Sequence, residues 1–97
     1  MTYKLVFDID AQKEWNKLDK AVQSAFKKVL ERRLINPVVP KDRLSGFTHD
    51  ECYKIKLRSY GFRLVYRIEQ DKVILFVISV GKRENDEVYI NMAKRLK

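Results

Sequence analysis

The chain has 97 residues, enough for one hydrophobic core, and we expect residues 1–97 to form a single domain. Its formal net charge of +8 favours a polyanionic partner such as nucleic acid, an anionic membrane surface or an acidic protein, with a merely basic surface as the simpler alternative. Cys52 is the only cysteine, which excludes an internal disulfide, and no apolar run has the length of a signal peptide or a membrane span. We therefore expect a cytoplasmic protein that is neither secreted nor membrane-spanning.

The N-terminal third predicts one strand followed by two helices. Apolar side chains alternate over residues 3–7, which is typical of a strand with one face on a core. Asp8 or Asp10 can cap a short first helix, and Asp19 can cap a second helix over residues 20–35. Both helices carry an apolar face, so we expect them to pack as a helical hairpin on the sheet.

The middle of the chain predicts a loop and then three strands. Asn36 and Pro37 end the second helix, and the following loop is the one extended loop in the chain. Within this loop, Leu44 and Phe47 are expected to pack under the core. The strands are predicted at residues 52–58, 62–69 and 73–80.

The C-terminal third predicts a buried strand and a final helix. "VILFVISV", residues 73–80, lacks polar alternation and is expected to be a central strand, with the first strand as its neighbour. Asn85 can cap a helix whose inner face carries Val88, Met92 and Leu96. The predicted fold class is α+β: a small twisted, mostly antiparallel four-stranded sheet, the helical hairpin on one face, and a C-terminal helix. We expect the second face of the sheet to be open except at its rim.

The two middle strands carry a row of cations on one face. "YKIKLRSYGFRLVYRI" reads as a hairpin in which Lys54, Lys56 and Arg58 point away from the core, together with Arg63 and Arg67 if no bulge intervenes. Like charges on neighbouring strands cost about 0.2 to 1 kcal/mol for a direct pair, so the set favours an anionic partner. The alternative is a face of Lys and Arg that keeps a sheet edge soluble.

The sequence offers few residues for other kinds of catalytic or metal-binding site. His49 is the sole histidine, so neither a paired-histidine nuclease nor a metal site has a ligand set, and we expect no metal and no cofactor. The three glycines form no phosphate-binding loop, and the serines have no evident His and Asp partners for a triad. Lys82 and Arg83 in "GKREN" add two cations at the end of the buried strand, beside the helix that carries Tyr89.

These stretches resemble a known family. "CYKIKLRSYGFRLVYRI" and "VILFVISVGKRENDEVY", with "QKEWNKLDK" and the "RLSG" loop, are similar to the RelE toxins of bacterial toxin-antitoxin modules over essentially the whole chain. The resemblance implies a microbial-ribonuclease-like fold and a ribosome-dependent endoribonuclease that cuts mRNA in the ribosomal A site. It also implies a RelB-type antitoxin as the cognate inhibitor.

The resemblance also implies the active-site residues. By position they are Lys54, Lys56, Arg63, Arg83 and Tyr89, and all five residue types match. Cationic crowding makes Lys56 the candidate base, and the Arg63 fork suits a clamp on the scissile phosphate. The family assigns leaving-group protonation to the position of Arg83, although a guanidinium is a poor acid and charge stabilisation is the alternative.

Further cations are candidates for binding RNA around this site. Relatives often have a basic residue at the position of Ser45, and here Arg43 could make that ribosomal contact instead. The outer face of the second helix could also bind ribosomal RNA, or it could simply be solvated. The full set of predicted RNA-binding residues is Arg58, Arg67, Lys82, Arg43, Lys20, Lys27, Lys28 and Arg32.

Two other functions stay open from the sequence. One is a toxin of the same fold with another target, as in the gyrase inhibitors of the ParE group. The other is a non-catalytic module that binds RNA or the ribosome, for which the cations alone would suffice.

Overall fold

A computed structural model describes residues 2–44, 52–82 and 87–95 of the chain. In these ranges the elements, in chain order, are β1 (Lys4–Phe7), α1 (Ile9–Asn16), α2 (Lys20–Ile35), β2 (Cys52–Leu57), β3 (Phe62–Glu69), β4 (Ile74–Lys82) and α3 (Glu87–Arg95). Single turns of 3-10 helix lie at Pro40–Asp42 and Gln70–Lys72. None of the described helices is both long enough and apolar enough to cross a bilayer.

The four strands form one mixed sheet in the order β1-β4-β3-β2. β1 runs parallel to β4, whereas β4 with β3 and β3 with β2 are antiparallel. The α+β class, the mostly antiparallel sheet and the neighbouring positions of β1 and β4 are therefore confirmed. β4 is internal because it carries hydrogen-bonded neighbours on both sides, which explains its nearly continuous apolar sequence.

α1 and α2 begin after aspartates that differ in whether they cap the helix. Asp8 caps α1, since its carboxylate accepts hydrogen bonds from the backbone N–H groups of Asp10 (2.9 Å) and Ala11 (3.2 Å). Asp19 occupies the N-cap position of α2, but its side chain makes no capping hydrogen bond. The predicted start of α2 was therefore correct while the predicted capping bond was wrong.

The main core lies between the sheet and the helical hairpin of α1 and α2. Trp15 and Phe26 from the helices pack with Tyr53, Leu64 and Tyr66 from β2 and β3. This confirms the predicted alternation, in which these strand residues point to the core and the cations between them point to the opposite face.

The opposite face of the sheet is not open, and the expectation that it would be was wrong. Val88 and Met92 of α3 pack there on Cys52, Val65 and Ile78, and all five are buried. Uncharged residues alternate with the cations on this face, so covering them with the amphipathic α3 removes apolar surface from water. Leu44 packs against this second cluster as predicted, whereas Phe47, Asn85 and Leu96 lie outside the described residues.

A β-bulge shifts the register between β3 and β4. Val65 is opposite Ser79 while its neighbour Tyr66 is opposite Val77, so β4 has one extra residue at this point. Val77 and Val80 consequently both belong to the main core although three positions separate them. Counting every second residue along β4 therefore fails after the bulge.

Candidate active site

The β2–β3 hairpin places Lys54, Lys56 and Arg63 close together on the face that α3 partly covers. Its register is unbroken, with Lys56 opposite Arg63 and Lys54 opposite Val65. The turn between the strands closes at Gly61, which has a φ of 71° and whose N–H donates to the Leu57 carbonyl at 2.8 Å. Directly opposite side chains in such a pair have their Cβ atoms about 4.5 to 5.5 Å apart.

Tyr89 of α3 joins these cations from above the sheet. The Arg63 guanidinium lies 5.5 Å from the centre of the Tyr89 ring, and its Nη1 donates to the Tyr89 hydroxyl at 3.4 Å. Lys54, Arg63 and Tyr89 are half-buried, whereas Lys56 is exposed. We call Lys54, Lys56, Arg63 and Tyr89 the cationic cluster.

The cationic cluster lowers the pKa of Lys56 below the usual value for lysine. The largest cause is the positive charge of Lys54, with loss of hydration, the charge of Arg63, a hydrogen bond with Lys54 and the charge of Arg58 contributing in that order. Each of these charges disfavours the ammonium form because like charges repel. A larger fraction of Lys56 than of an isolated lysine is therefore neutral near neutral pH and able to take up a proton.

Arg33 of α2 supports the cluster from beneath the sheet. Its Nη1 donates to the Tyr66 hydroxyl at 2.8 Å and reaches the Lys54 carbonyl at 3.4 Å, while its Nη2 is paired with Asp42 at 2.6 Å. The Tyr66 hydroxyl donates in turn to the Pro37 carbonyl at 2.7 Å, and burial raises the pKa of Tyr66. This network fixes the backbone of β2 beside Lys54, and no sequence pattern predicts it because its members are far apart in the chain.

The other predicted RNA-binding residues on the hairpin and β4 do not all join the cluster. Arg58 is exposed in the hairpin turn, next to the cluster. Arg67 shares the face but lies at the other end of the strand pair, where it bonds Glu69 at 2.8 Å and lies 4.9 Å from the Phe76 ring centre. Lys82 lies opposite Phe62, whose side chain packs against the main core, and so the bulge places it away from the cationic cluster.

The remaining candidates lie farther from the cluster or outside the described residues. Arg43 is exposed, and its backbone bridges to Tyr53 at the outer side of β2. The α2 cations are exposed on the outer surface of the helical layer, on the other side of the sheet from the cluster: Lys20, Lys27, Lys28 and Arg32. Arg83, Ser45 and His49 lie outside the described residues, and among the described residues no group of His, Cys, Asp or Glu could hold a metal ion.

The chain matches a family of known toxins. Residues 5–87 match the model of the ParE toxin of the type II toxin-antitoxin system parDE. The mRNA interferase toxin RelE of Escherichia coli strain K12 is 50% identical to this chain over 96 residues, which is 99% of each sequence. The mRNA interferase RelE of Shigella flexneri has the same identity and coverage.

Solved structures show the same similarity in three dimensions. A mutant of the E. coli toxin RelE in the free state has a TM-score of 0.89 and 48% identity, with full coverage of both chains. The toxin in the intact E. coli RelBE toxin-antitoxin complex has a TM-score of 0.79 and 49% identity, covering 86% of this chain and 99% of that one.

Proposed function

Because this chain belongs to the ParE and RelE family of type II toxins, we propose that it is an mRNA interferase: a metal-independent endoribonuclease that cleaves mRNA in the ribosomal A site. The observation that carries the proposal is the contact of Arg63 with Tyr89 beside a Lys56 whose pKa is lowered by neighbouring cations. We place this activity in the cytoplasm, where translating ribosomes are, and assign it to one domain spanning residues 1–97.

Lys56 and Arg63 account for the first half of the reaction. Lys56, in its neutral form, removes the proton from the ribose 2′-hydroxyl, and the resulting oxygen attacks the adjacent phosphorus. Arg63 donates two hydrogen bonds to the phosphate oxygens as negative charge builds up on them, and Lys54 adds a further positive charge. Tyr89 already has the Arg63 guanidinium over its ring, so we assign it the role of orienting this arginine.

The second half of the reaction breaks the bond from phosphorus to the 5′ oxygen. The leaving oxygen takes up a proton from water, Lys56 later returns the 2′-hydroxyl proton to water, and the products are a 2′,3′-cyclic phosphate and a 5′-hydroxyl end. Arg83 stabilises the leaving oxygen electrostatically, since a guanidinium keeps its proton at any ordinary pH and is a poor proton donor.

From the residue types of the cationic cluster we expect cleavage to depend on the ribosome. General acid-base catalysis is most efficient when the pKa of the group lies near the working pH, and lysine and arginine satisfy this poorly. Holding the 2′-hydroxyl in line with the phosphate can supply up to ~7 to 11 kcal/mol, and an A site that holds the codon in an extended conformation is a means of doing so. Ribosomal RNA would be bound by the exposed cations Arg58, Arg43 and those of α2. We expect Arg67 and Lys82 to contribute less to RNA binding.

The proposed inhibitor is an antitoxin of the RelB type, as in the E. coli RelBE complex. The net charge of +8 favours an acidic partner that covers the cationic cluster. α3 is the expected point of interference, because moving it would separate Tyr89 from Arg63 while Lys54 and Arg63 keep their places on the strands.

Mapping of mRNA 5′ ends after a short induction in cells tests this function. We expect new ends at fixed positions within codons, and none with a folded Arg63→Ala variant. Loss of DNA supercoiling without new ends would instead indicate a gyrase inhibitor, and loss of translation without new ends would indicate a binding module. Either result would overturn the proposed function.

A further inference from the structure

A bidentate ion pair near the C-terminal end of α3 joins this helix to α1. Arg95 donates from Nη1 to Glu14 Oε1 at 2.9 Å and from Nη2 to Glu14 Oε2 at 3.0 Å. Asn91, one helical turn earlier, reaches the same Oε2 at 3.4 Å. Both charged side chains are largely shielded from water, with exposed fractions of 16% and 24%, and the hydrogen bond with Glu14 is the main cause that raises the pKa of Arg95.

The same two side chains also hydrogen-bond backbone groups of β4 beyond the point where β1 ends. β1 pairs with β4 only as far as Phe7 opposite Val77, after which the chain turns into α1. Beyond this point the Val80 N–H donates to Glu14 Oε1 at 3.1 Å, and the Ile78 carbonyl accepts from Arg95 Nη1 at 2.7 Å. Both backbone groups lie at or beside the β-bulge, and leaving either of them buried without a partner would cost about 1 to 3 kcal/mol.

α3 needs such an anchor because the helix is short. It has nine residues, well below the length at which an isolated helix is stable in water, and Val88 and Met92 are its buried residues. The helix passes close to β4, where a Cβ added at Gly81 would lie 3.2 Å from Val88 Cγ2. A shift at the Arg95 end would therefore move Tyr89, six residues and about 9 Å along the same rigid helix.

We propose that Glu14 and Arg95 are positioning residues for RNA cleavage, which hold α3 so that the Tyr89 hydroxyl stays against Arg63. The proposal rests on the function proposed above. Neither side chain belongs to the cationic cluster, and 81 positions separate them in the sequence. Their effect on the reaction therefore passes through the placement of Tyr89.

A double-mutant cycle with Tyr89 tests this role. A misplacement of about 1 Å can cost up to ~10²-fold in rate, so we expect Glu14→Ala to lower the single-turnover cleavage rate on programmed ribosomes by about 10- to 100-fold. In a Tyr89→Ala background the same substitution should cause no further loss. Glu31→Ala, which removes an exposed carboxylate from α2, is the matched control and should keep the parent rate. An equal loss in both backgrounds, or no loss in the parent, would overturn the proposal.

Hydrogen exchange measured by mass spectrometry tests the anchor without using cleavage. Glu14→Ala should speed amide exchange in residues 87–95 while exchange in β2 and β3 stays as in the parent. Unchanged exchange in α3 would refute the anchor, whatever the chain cleaves. A parent protein that leaves ribosome-bound mRNA intact would instead refute the proposed function. If Glu14→Ala fails to fold, Glu14→Gln, which keeps an oxygen for the Val80 N–H, takes its place in both experiments with the same criteria.

Discussion

Replacing Arg63 with alanine should separate catalysis from folding. The guanidinium contacts the Tyr89 ring and hydroxyl and lies opposite Lys56 in the strand pair. Loss of one preorganised donor to a developing negative charge typically costs 10²- to 10³-fold in rate, which is about 2.7 to 4 kcal/mol. We expect the Arg63→Ala rate on programmed ribosomes to fall by that factor.

The same substitution should change the free energy of unfolding by less than about 1 kcal/mol. Losing the cation–π contact with Tyr89 removes about 0.5 to 1 kcal/mol of stability, the range for such contacts where water still reaches the cation. Removing the repulsion between Arg63 and Lys56 raises the free energy of unfolding by about 0.2 to 1 kcal/mol. These two contributions have opposite signs and similar sizes.

Single-turnover cleavage and urea denaturation, measured on the same preparation, make the comparison. Lys72→Ala is the matched control, because it removes an exposed cation from the turn between β3 and β4. The control should match the parent in both measurements. A folded Arg63→Ala protein that cleaves at the parent rate would refute the assigned role of Arg63.

Four further outcomes are expected. The cleavage rate should rise with pH until Lys56 has lost its proton, at a lower pH than for an ordinary lysine because neighbouring cations lower its pKa, and a profile unaltered by Lys56→Ala would exclude this lysine as the base. Tyr66→Phe should lower the free energy of unfolding by about 1 to 3 kcal/mol in urea titrations, since the Pro37 carbonyl loses its donor, whereas Tyr60→Phe at an exposed hydroxyl should change it little. Replacing the four α2 cations with glutamine should weaken ribosome binding and flatten its dependence on salt, and an unchanged slope would mean that this helix face is only solvated. A structure of the complex with the antitoxin should show α3 displaced, and an undisturbed α3 with an open cationic cluster would contradict that route of inhibition.

The sequence predicted the hairpin face because local geometry determines it. Side chains alternate strictly along β2 and β3, and the β2–β3 register has no bulge, so Lys56 and Arg63 could be placed on one face without a structure. The contact of Arg63 with Tyr89 joins a strand to a helix, and the sequence indicated it only through family resemblance.

The errors of sequence analysis arose where long-range contacts decide the structure. The bulge between β3 and β4 places Lys82 on the face opposite to the cationic cluster, and strict alternation along β4 does not predict this. The packing of α3 on Cys52 and Val65 and the ion pair of its Arg95 with Glu14 join elements that are far apart in the chain, and periodicity within one element cannot reveal such contacts.

Cleavage of one message in two states tests ribosome dependence most directly. Single-turnover cleavage should be measured for an mRNA on programmed ribosomes, with its codon in the A site, and for the same RNA alone. We expect the ribosome-bound message to be cut several orders of magnitude faster, because positioning compensates for the lack of well-matched acids and bases in the cationic cluster. Comparable rates on free and ribosome-bound RNA would contradict it.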